Sequence, residues 1–130
     1  MDAVAARKLL GLVGLGVRGR LAVVGVQMVR EAALKGKLAF AIVAPDVSRH
    51  SLDKIVPLLE AKRIRYTMGP GARELGQAVG REQTAVVGIV DWKLARGVRA
   101  IVEAAEGGRD DAAPEGGRDP GAAAPDRRGV

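Results

Sequence analysis

The stretch that decides the fold is residues 25–48, which read GVQMVREAALKGKLAFAIVAPDVS. Residues 26–35 carry small apolar side chains on one side of a helix and polar side chains on the other. Gly36 follows at the position where many helices end in a left-handed backbone, which glycine adopts readily. Residues 39–44 (AFAIVA) form a continuous apolar run, which is typical of a strand covered on both faces. The stretch therefore predicts a helix followed by a buried strand.

Strand and helix patterns alternate on both sides of this stretch. A helix and a short β-branched strand at residues 20–24 precede it. After it we predict a helix capped by Ser48 or Ser51, a strand at 64–68, a short helix at 72–79, a strand at 84–90 and a helix at 92–105 capped by Asp91. Strands joined through helices need crossover connections. The pattern thus predicts an α/β fold: a three-layer α-β-α sandwich with a four-stranded, mostly parallel or mixed sheet.

The composition excludes several classes of protein. A chain of 130 residues has room for one domain, and an apolar content of 48% allows that domain a real core. The absence of cysteine excludes a disulfide scaffold and cysteine-ligated zinc. With His50 as the single histidine, neither a multi-histidine metal site nor a Ser-His-Asp triad is expected. We therefore expect no enzymatic activity, no metal and no cofactor.

The charge is distributed unevenly along the chain. Residues 1–106 contain 17 Lys or Arg against 10 Asp or Glu, whereas residues 107–130 contain four Arg and five acidic residues. A basic domain indicates a polyanionic partner, nucleic acid first, although solubility alone would also account for the excess. Residues 107–130 are mostly Gly, Ala, Pro, Arg and Asp, too polar and small to offset the entropy of folding. We predict a domain over residues 1–106 and a disordered tail over residues 107–130.

Residues 7–20 contain two misleading motifs. Their apolar run between cations resembles a secretory signal, but Arg18 and Arg20 stand where a small, neutral cleavage site is required. No uncharged apolar run reaches the ~18 residues needed to cross a bilayer. The Gly-x-Gly-x-x-Gly pattern at residues 14–19 follows a helix and precedes a strand, the reverse of the order in dinucleotide-binding folds. We expect a helix packed on the core of a cytoplasmic protein, with no membrane and no nucleotide.

Three blocks of sequence together carry a resemblance to a known family. They are residues 25–48 above, IRYTMGPGARELGQAVG at residues 64–80 and AVVGIVD at residues 85–91. In order and spacing they resemble the kink-turn-binding ribosomal protein superfamily (L-seven-Ae type), and within it the bacterial YlxQ-like branch. The resemblance spans roughly residues 9–102. It implies the α-β-α sandwich and the binding of a kink-turn, a helical RNA with an internal bulge and tandem sheared G·A pairs.

The resemblance also implies where RNA is bound: at the start of the second helix and by a loop at the same end of the molecule. On this chain the helix positions are Gly25, Gln27, Met28 and Glu31, and the loop positions are Arg81, Glu82, Gln83 and Thr84. Glycine at the helix start lets two backbones approach closely, and free N–H groups there attract phosphate. The amide of Gln27 can both donate and accept at base edges.

The chain departs from the family pattern at two of these helix positions. Met28 replaces a carboxylate and Glu31 replaces a lysine, so Arg30 is expected to supply the missing cation. The loop at residues 81–84 is polar, whereas the family pattern there is apolar and small. The side chains expected to contact phosphates are Arg18, Arg20, Arg30 and Arg81.

The sequence therefore favours a non-enzymatic RNA-binding protein that acts as a monomer. Its expected partner is a structured, kink-turn-like RNA, ribosomal or ribosome-associated. The aromatic residues are too few and scattered for the base-stacking surface of an RNA-recognition motif or a cold-shock domain. The alternative is a protein-interaction module on the same fold that has lost specific RNA recognition, because Met28 and Glu31 are the changes that such a loss would produce.

Overall fold

The computed structural model describes residues 1–109. In chain order their elements are α1 (Ala3–Arg18), β1 (Ala22–Val24), α2 (Val26–Leu34), β2 (Phe40–Val43), α3 (Arg49–Ala61), β3 (Tyr66–Met68), α4 (Ala72–Ala78), β4 (Val86–Ile89) and α5 (Trp92–Arg109). The last helix thus includes residues 107–109, and the rest of the predicted tail lies outside the described residues. Within the described part, no helix has both the length and the apolar character needed to cross a membrane.

The four strands form one mixed sheet in the order β1-β4-β2-β3. β2 runs parallel to β3, and β4 runs antiparallel to both β1 and β2. The direction of β4 follows from the loop before it, in which the Thr84 N–H donates to the Ala72 carbonyl at 3.0 Å. Because this bond returns the chain to the end of the sheet where α4 began, β4 must start there. Of the two predicted alternatives, the structure adopts the mixed sheet.

Helices cover both faces of the sheet and complete the predicted α-β-α sandwich. On one face, α1, α4 and α5 pack on the sheet, with buried side chains that include Leu9, Val13, Leu75 and Val98. On the other face, α2 and α3 contribute Val29, Ala33, Ile55 and Leu59. All positions of the central strands β2 and β4 are buried, which for β2 confirms the prediction from the apolar run at residues 39–44. Each fully buried aliphatic side chain stabilises the fold by about 1.5–3 kcal/mol.

Short polar side chains fix the start of three helices. Ser48, rather than Ser51, caps α3, since its Oγ accepts from the Ser51 N–H at 3.2 Å. Asp91 caps α5 as predicted, through a 2.8 Å bond from the Leu94 N–H. The cap of α4 comes from a different loop: Asp46 Oδ1 accepts from the Ala72 N–H at 2.8 Å. This last bond ties the loop after β2 to the start of α4.

The strand directions give the molecule two distinct ends. At the first, β1, β2 and β3 end and β4 begins, so α2, α3 and α4 all start there. We call it the α2 end; it comprises Gly25 and residues 44–48, 69–71 and 81–85. At the opposite end, which we call the α5 end, β4 finishes and α5 begins, and α2 and α3 finish. Loops at the same end are neighbours, whatever their distance in sequence.

Candidate functional site

The α2 end brings together the two segments that the resemblance predicts to share a face. The Gly25 N–H donates to the Val86 carbonyl at 2.9 Å, directly continuing the pairing of Val24 with Val87. Because β4 begins where β1 ends, the loop that precedes β4 lies beside the first turn of α2. The predicted helix and loop positions are therefore spatial neighbours.

The N-terminus of α2 is open. Gly25 occupies the N-cap with φ 98° and ψ 159°, and no side chain caps the helix. The first internal bond runs from the Val29 N–H to the Gly25 carbonyl, which leaves the N–H groups of the first helical turn without a partner in the helix. In each of the other four helices of the described chain, a side-chain carboxylate or hydroxyl oxygen accepts from an N–H of the first turn, in α4 from the loop after β2. Partial positive charge is thus exposed at the start of α2.

Arg81 adds a full positive charge beside this terminus. Its Nη1 atom lies 4.0 Å from the point that a Cβ atom at Gly25 would occupy, and the side chain is exposed. Its backbone N–H donates to the Gly76 carbonyl at 2.7 Å, which fixes the base of the loop. A guanidinium beside free N–H groups is suited to a phosphate, which accepts several charge-assisted hydrogen bonds at once.

The loop at residues 81–84 is held against the backbone of α4. A Cβ at Gly76 would lie only 2.4 Å from the Gln83 Cα atom, so the loop can pack here only because residue 76 has no side chain. Thr84 is buried, and its hydroxyl donates to the Val86 carbonyl at 3.3 Å. The structure therefore gives Thr84 an internal role, whereas Glu82 and Gln83 remain exposed.

The exposed side of α2 carries the other predicted positions. Gln27 lies in the first turn with its amide in solvent, and Met28 is 48% exposed. Glu31, one turn further on, is exposed and has no ion-pair partner within residues 1–109. The face that Gln27 and Met28 offer to a ligand thus combines an amide with an apolar thioether, and a carboxylate borders it.

Arg30 does not have the role that the sequence predicted. One of its guanidinium nitrogens, Nη1, donates to the Lys54 carbonyl in α3, and the side chain is half-buried. The cation expected to replace the family lysine is therefore engaged in holding α2 against α3. The helical pattern of α2 did not predict this contact, because the acceptor is a backbone atom 24 residues away.

The backbones of Arg18 and Arg20 lie away from Gly25. They stand at the end of α1 and in the turn before β1, which is at the α5 end, because Ala22 pairs with Ile89 at the finish of β4. The whole of β1 separates them from the start of α2. Arg18 folds back along α1, with Nη1 3.4 Å from the position of a Cβ at Gly14. The same Cβ position lies 3.0 Å from the Ala78 carbonyl, so the Arg18 guanidinium lies beside the end of α4, which leads into the loop at residues 81–84. Arg20 stays at the α5 end.

One cation at the α2 end was missed from the sequence. A groove of about 650 Å³ runs beside the loop and is lined by Asp46, Ser48, Arg73 and Gln83, among others. Arg73 lies in the first turn of α4 and is exposed. The sequence did not indicate a role for Arg73, since a lone arginine in a short helix is common. Arg73 lies at the α2 end because the loop at residues 81–84 returns to α4. The described residues contain no cluster of His, Cys, Asp and Glu suited to a metal.

Comparison with known proteins identifies relatives of the chain. A sequence model of the ribosomal protein L7Ae/L30e/S12e/Gadd45 family matches residues 8–106. A solved structure from Bacillus halodurans, of unknown function, is 26% identical with a TM-score of 0.69, covering 74% of this chain and 97% of that one. A 15.5kD RNA binding protein from Giardia lamblia is 23% identical with a TM-score of 0.69, covering 82% of this chain and 91% of that one. Among curated proteins no match was found.

Proposed function

Because the chain belongs to the ribosomal protein L7Ae/L30e/S12e/Gadd45 family, we propose that it is a non-enzymatic protein that binds structured RNA through its α2 end. The observation that carries the proposal is the open N-terminus of α2 with the guanidinium of Arg81 beside Gly25. The Giardia protein of the same fold, described as RNA-binding, supports the choice of ligand. The finer proposal is that the RNA is a kink-turn-like element.

We propose a role for each part of the α2 end. A phosphate accepts from the N–H groups of the first turn of α2 and from Arg81. With no side chain at Gly25, an RNA backbone can approach this terminus closely. The Gln27 amide then lies where it can donate to and accept from base edges, and Met28 offers an apolar contact to a base. These contacts favour a bent, irregular RNA over a regular duplex, since base edges in duplex RNA are poorly accessible.

The path of the RNA is biased by charge. Glu31 repels phosphates on one side of the α2 terminus, whereas Arg81 and Arg73 attract them on the other. We therefore place the RNA backbone over the loop at residues 81–84 and the start of α4. This path replaces the family lysine by cations from a different element.

The setting of this activity is also part of the proposal. We infer that the RNA is ribosomal or ribosome-associated, that the protein acts as a cytoplasmic monomer, and that it belongs to the bacterial YlxQ-like branch. These inferences rest on the resemblance of residues 25–48, 64–80 and 85–91 to that branch.

The test is a titration of a labelled kink-turn RNA with the full chain. The control RNA is the same stem with its G·A pairs replaced by Watson–Crick pairs. We expect at least tenfold tighter binding to the kink-turn, equivalent to about 1.4 kcal/mol. With five or six phosphates engaged, affinity should fall on the order of 10²–10³-fold from low to physiological salt. Equal affinity for both RNAs would contradict kink-turn recognition, and no binding to either would favour the protein-interaction module.

A charge-reversal variant locates the binding face. Arg81→Glu is expected to weaken kink-turn binding by at least tenfold, because it places a carboxylate beside the helix terminus. Arg7→Glu makes the same change of net charge on exposed α1 and is expected to have little effect. An equal loss in the two variants would show that net charge alone, and not the α2 end, governs binding.

A further inference from the structure

A basic groove lies at the α5 end of the molecule, opposite the proposed RNA site. It has a volume of about 350 Å³ and lies where α2 and α3 finish and α5 begins. The side chains that define it are Leu34, Lys62, Arg63, Arg65, Trp92 and Arg99. They come from three separate segments, so no local motif in the sequence marks the groove.

The charge of the groove is of one sign. Four of its lining residues are cationic and none is acidic. Arg65 and Arg99 share one carboxylate, Glu103, at 3.7 and 3.5 Å. Lys62 and Arg63 have no ion-pair partner within residues 1–109. The groove therefore carries uncompensated positive charge, which is complementary to a polyanion.

An exposed indole stands in this basic surface. Trp92, the first residue of α5, is 71% exposed, although a large aromatic ring is normally among the most buried parts of a protein. The other two aromatic side chains make contacts within the fold. Phe40 is buried, and the Tyr66 hydroxyl donates to Glu60 at 2.8 Å, a hydrogen bond that raises the pKa of Tyr66. An exposed indole among cations is the arrangement on which unpaired bases stack in single-stranded nucleic-acid sites.

The backbone of Arg63 has a conformation that glycine also adopts, which allows a clean test of its side chain. Arg63 has φ 57°, in the left-handed region, at the C-terminus of α3. Gly36 occupies the equivalent place after α2 with φ 72°, and both helices end with the same pair of backbone hydrogen bonds. Glycine is the usual residue at this position. Arg20, after α1, has the same backbone (φ 63°) and the same pair of hydrogen bonds, so this conformation does not by itself mark a binding position. What distinguishes Arg63 is its place in the lining of the basic groove.

We propose that the basic groove binds a single-stranded segment of RNA, with phosphates on Lys62, Arg63 and Arg65 and one base stacked on Trp92. The groove chemistry itself requires phosphates and an unpaired base; the choice of RNA over DNA rests on the proposed function. The groove uses no residue of the α2 end. One molecule would therefore contact two segments of RNA at opposite ends of the sheet.

The test uses Trp92 as its own reporter, since it is the only tryptophan of the chain. The full chain is titrated with a short oligouridine while the tryptophan fluorescence is followed. We expect saturable quenching that weakens with added salt. Polyglutamate of matched charge is expected to leave the fluorescence unchanged, because it has no base to stack. Absence of quenching by oligouridine would overturn the proposal, and equal quenching by polyglutamate would assign the groove to an acidic protein surface instead.

Variants separate the groove from general charge effects. Trp92→Ala, followed with a labelled oligouridine, is expected to weaken binding about tenfold. Arg63→Gly is expected to weaken it several-fold without unfolding the chain, because glycine favours the same backbone. Arg20→Gly is the matched control: Arg20 has φ 63° but lies before β1, at the opposite edge of the sheet. Equal losses in the Arg63 and Arg20 variants would overturn the proposal.

The two RNA surfaces are distinguished by one further variant. Arg81→Glu is expected to abolish the preference for the kink-turn and to leave oligouridine quenching intact. If the wild-type chain shows quenching but no kink-turn binding, the function proposed for the α2 end fails alone. If it binds the kink-turn without quenching by oligouridine, the groove proposal fails alone.

Discussion

Gly25 shows how much of the proposed site depends on a single residue. Its φ of 98° and ψ of 159° lie in a region that side chains make unfavourable, so glycine is required for the chain to turn from β1 into α2. The same absence of a side chain keeps the helix terminus open beside Arg81. Both the fold and the proposed function therefore require glycine at residue 25.

Gly25→Ala is expected to destabilise the fold by about 1–3 kcal/mol, because alanine is strained in this conformation. Urea denaturation measures the change. Gly11→Ala is the control, since Gly11 lies in α1 with open space around it, and alanine there is expected to raise stability by up to about 1 kcal/mol. An unchanged stability in Gly25→Ala would show that residue 25 does not need its left-handed backbone.

At the residue scale, the sequence predicted some side-chain roles and missed others. The caps at Ser48 and Asp91 were predicted because capping depends on a short polar side chain directly before a helix. The contact of Arg30 with the Lys54 carbonyl was not predicted, because it joins two helices that no local pattern relates. The proposed role of Trp92 was not predicted for the same reason: it depends on neighbours from the end of α2 and from the connection between α3 and β3.

At the scale of elements, the order of helices and strands was predicted from the hydrophobic pattern and from the glycines at helix ends. The apolar run at residues 39–44 gave β2, and Gly36 and Gly80 marked the ends of α2 and α4. The direction of β4 could not be read in this way. It depends on the hydrogen bond between Thr84 and Ala72, which forms only when the loop at residues 81–84 packs on α4.

Gly76→Ala tests whether that packing builds the proposed site. A methyl group would lie 2.4 Å from the Gln83 Cα atom, so the loop must move away from α4. We expect a loss of about 1–3 kcal/mol in urea denaturation and weaker kink-turn binding. Gly97→Ala is the control, since a Cβ there meets only Leu12 at 3.4 Å. Full stability and full RNA affinity in Gly76→Ala would show that the close packing at residue 76 is not needed.

At the scale of the whole molecule, the sheet separates two surfaces of different character. The α2 end combines an open helix terminus with charges of both signs, including Arg81, Arg73 and Glu31. The basic groove at the α5 end carries cations and an exposed indole. The net positive charge that indicated a polyanionic partner is therefore divided between two ends. Composition predicted a polyanionic partner, but only the topology of the sheet shows that the cations lie at both of its ends.

The most direct test of the central claim is to map the amide chemical shifts of the full chain as kink-turn RNA is added. Binding at the α2 end predicts the largest changes at residues 26–28, whose N–H groups are free, and at Arg81. Arg81→Glu should remove these changes while leaving the spectrum of the fold intact. Changes confined to the α5 end, or spread evenly over the exposed cations, would contradict the account.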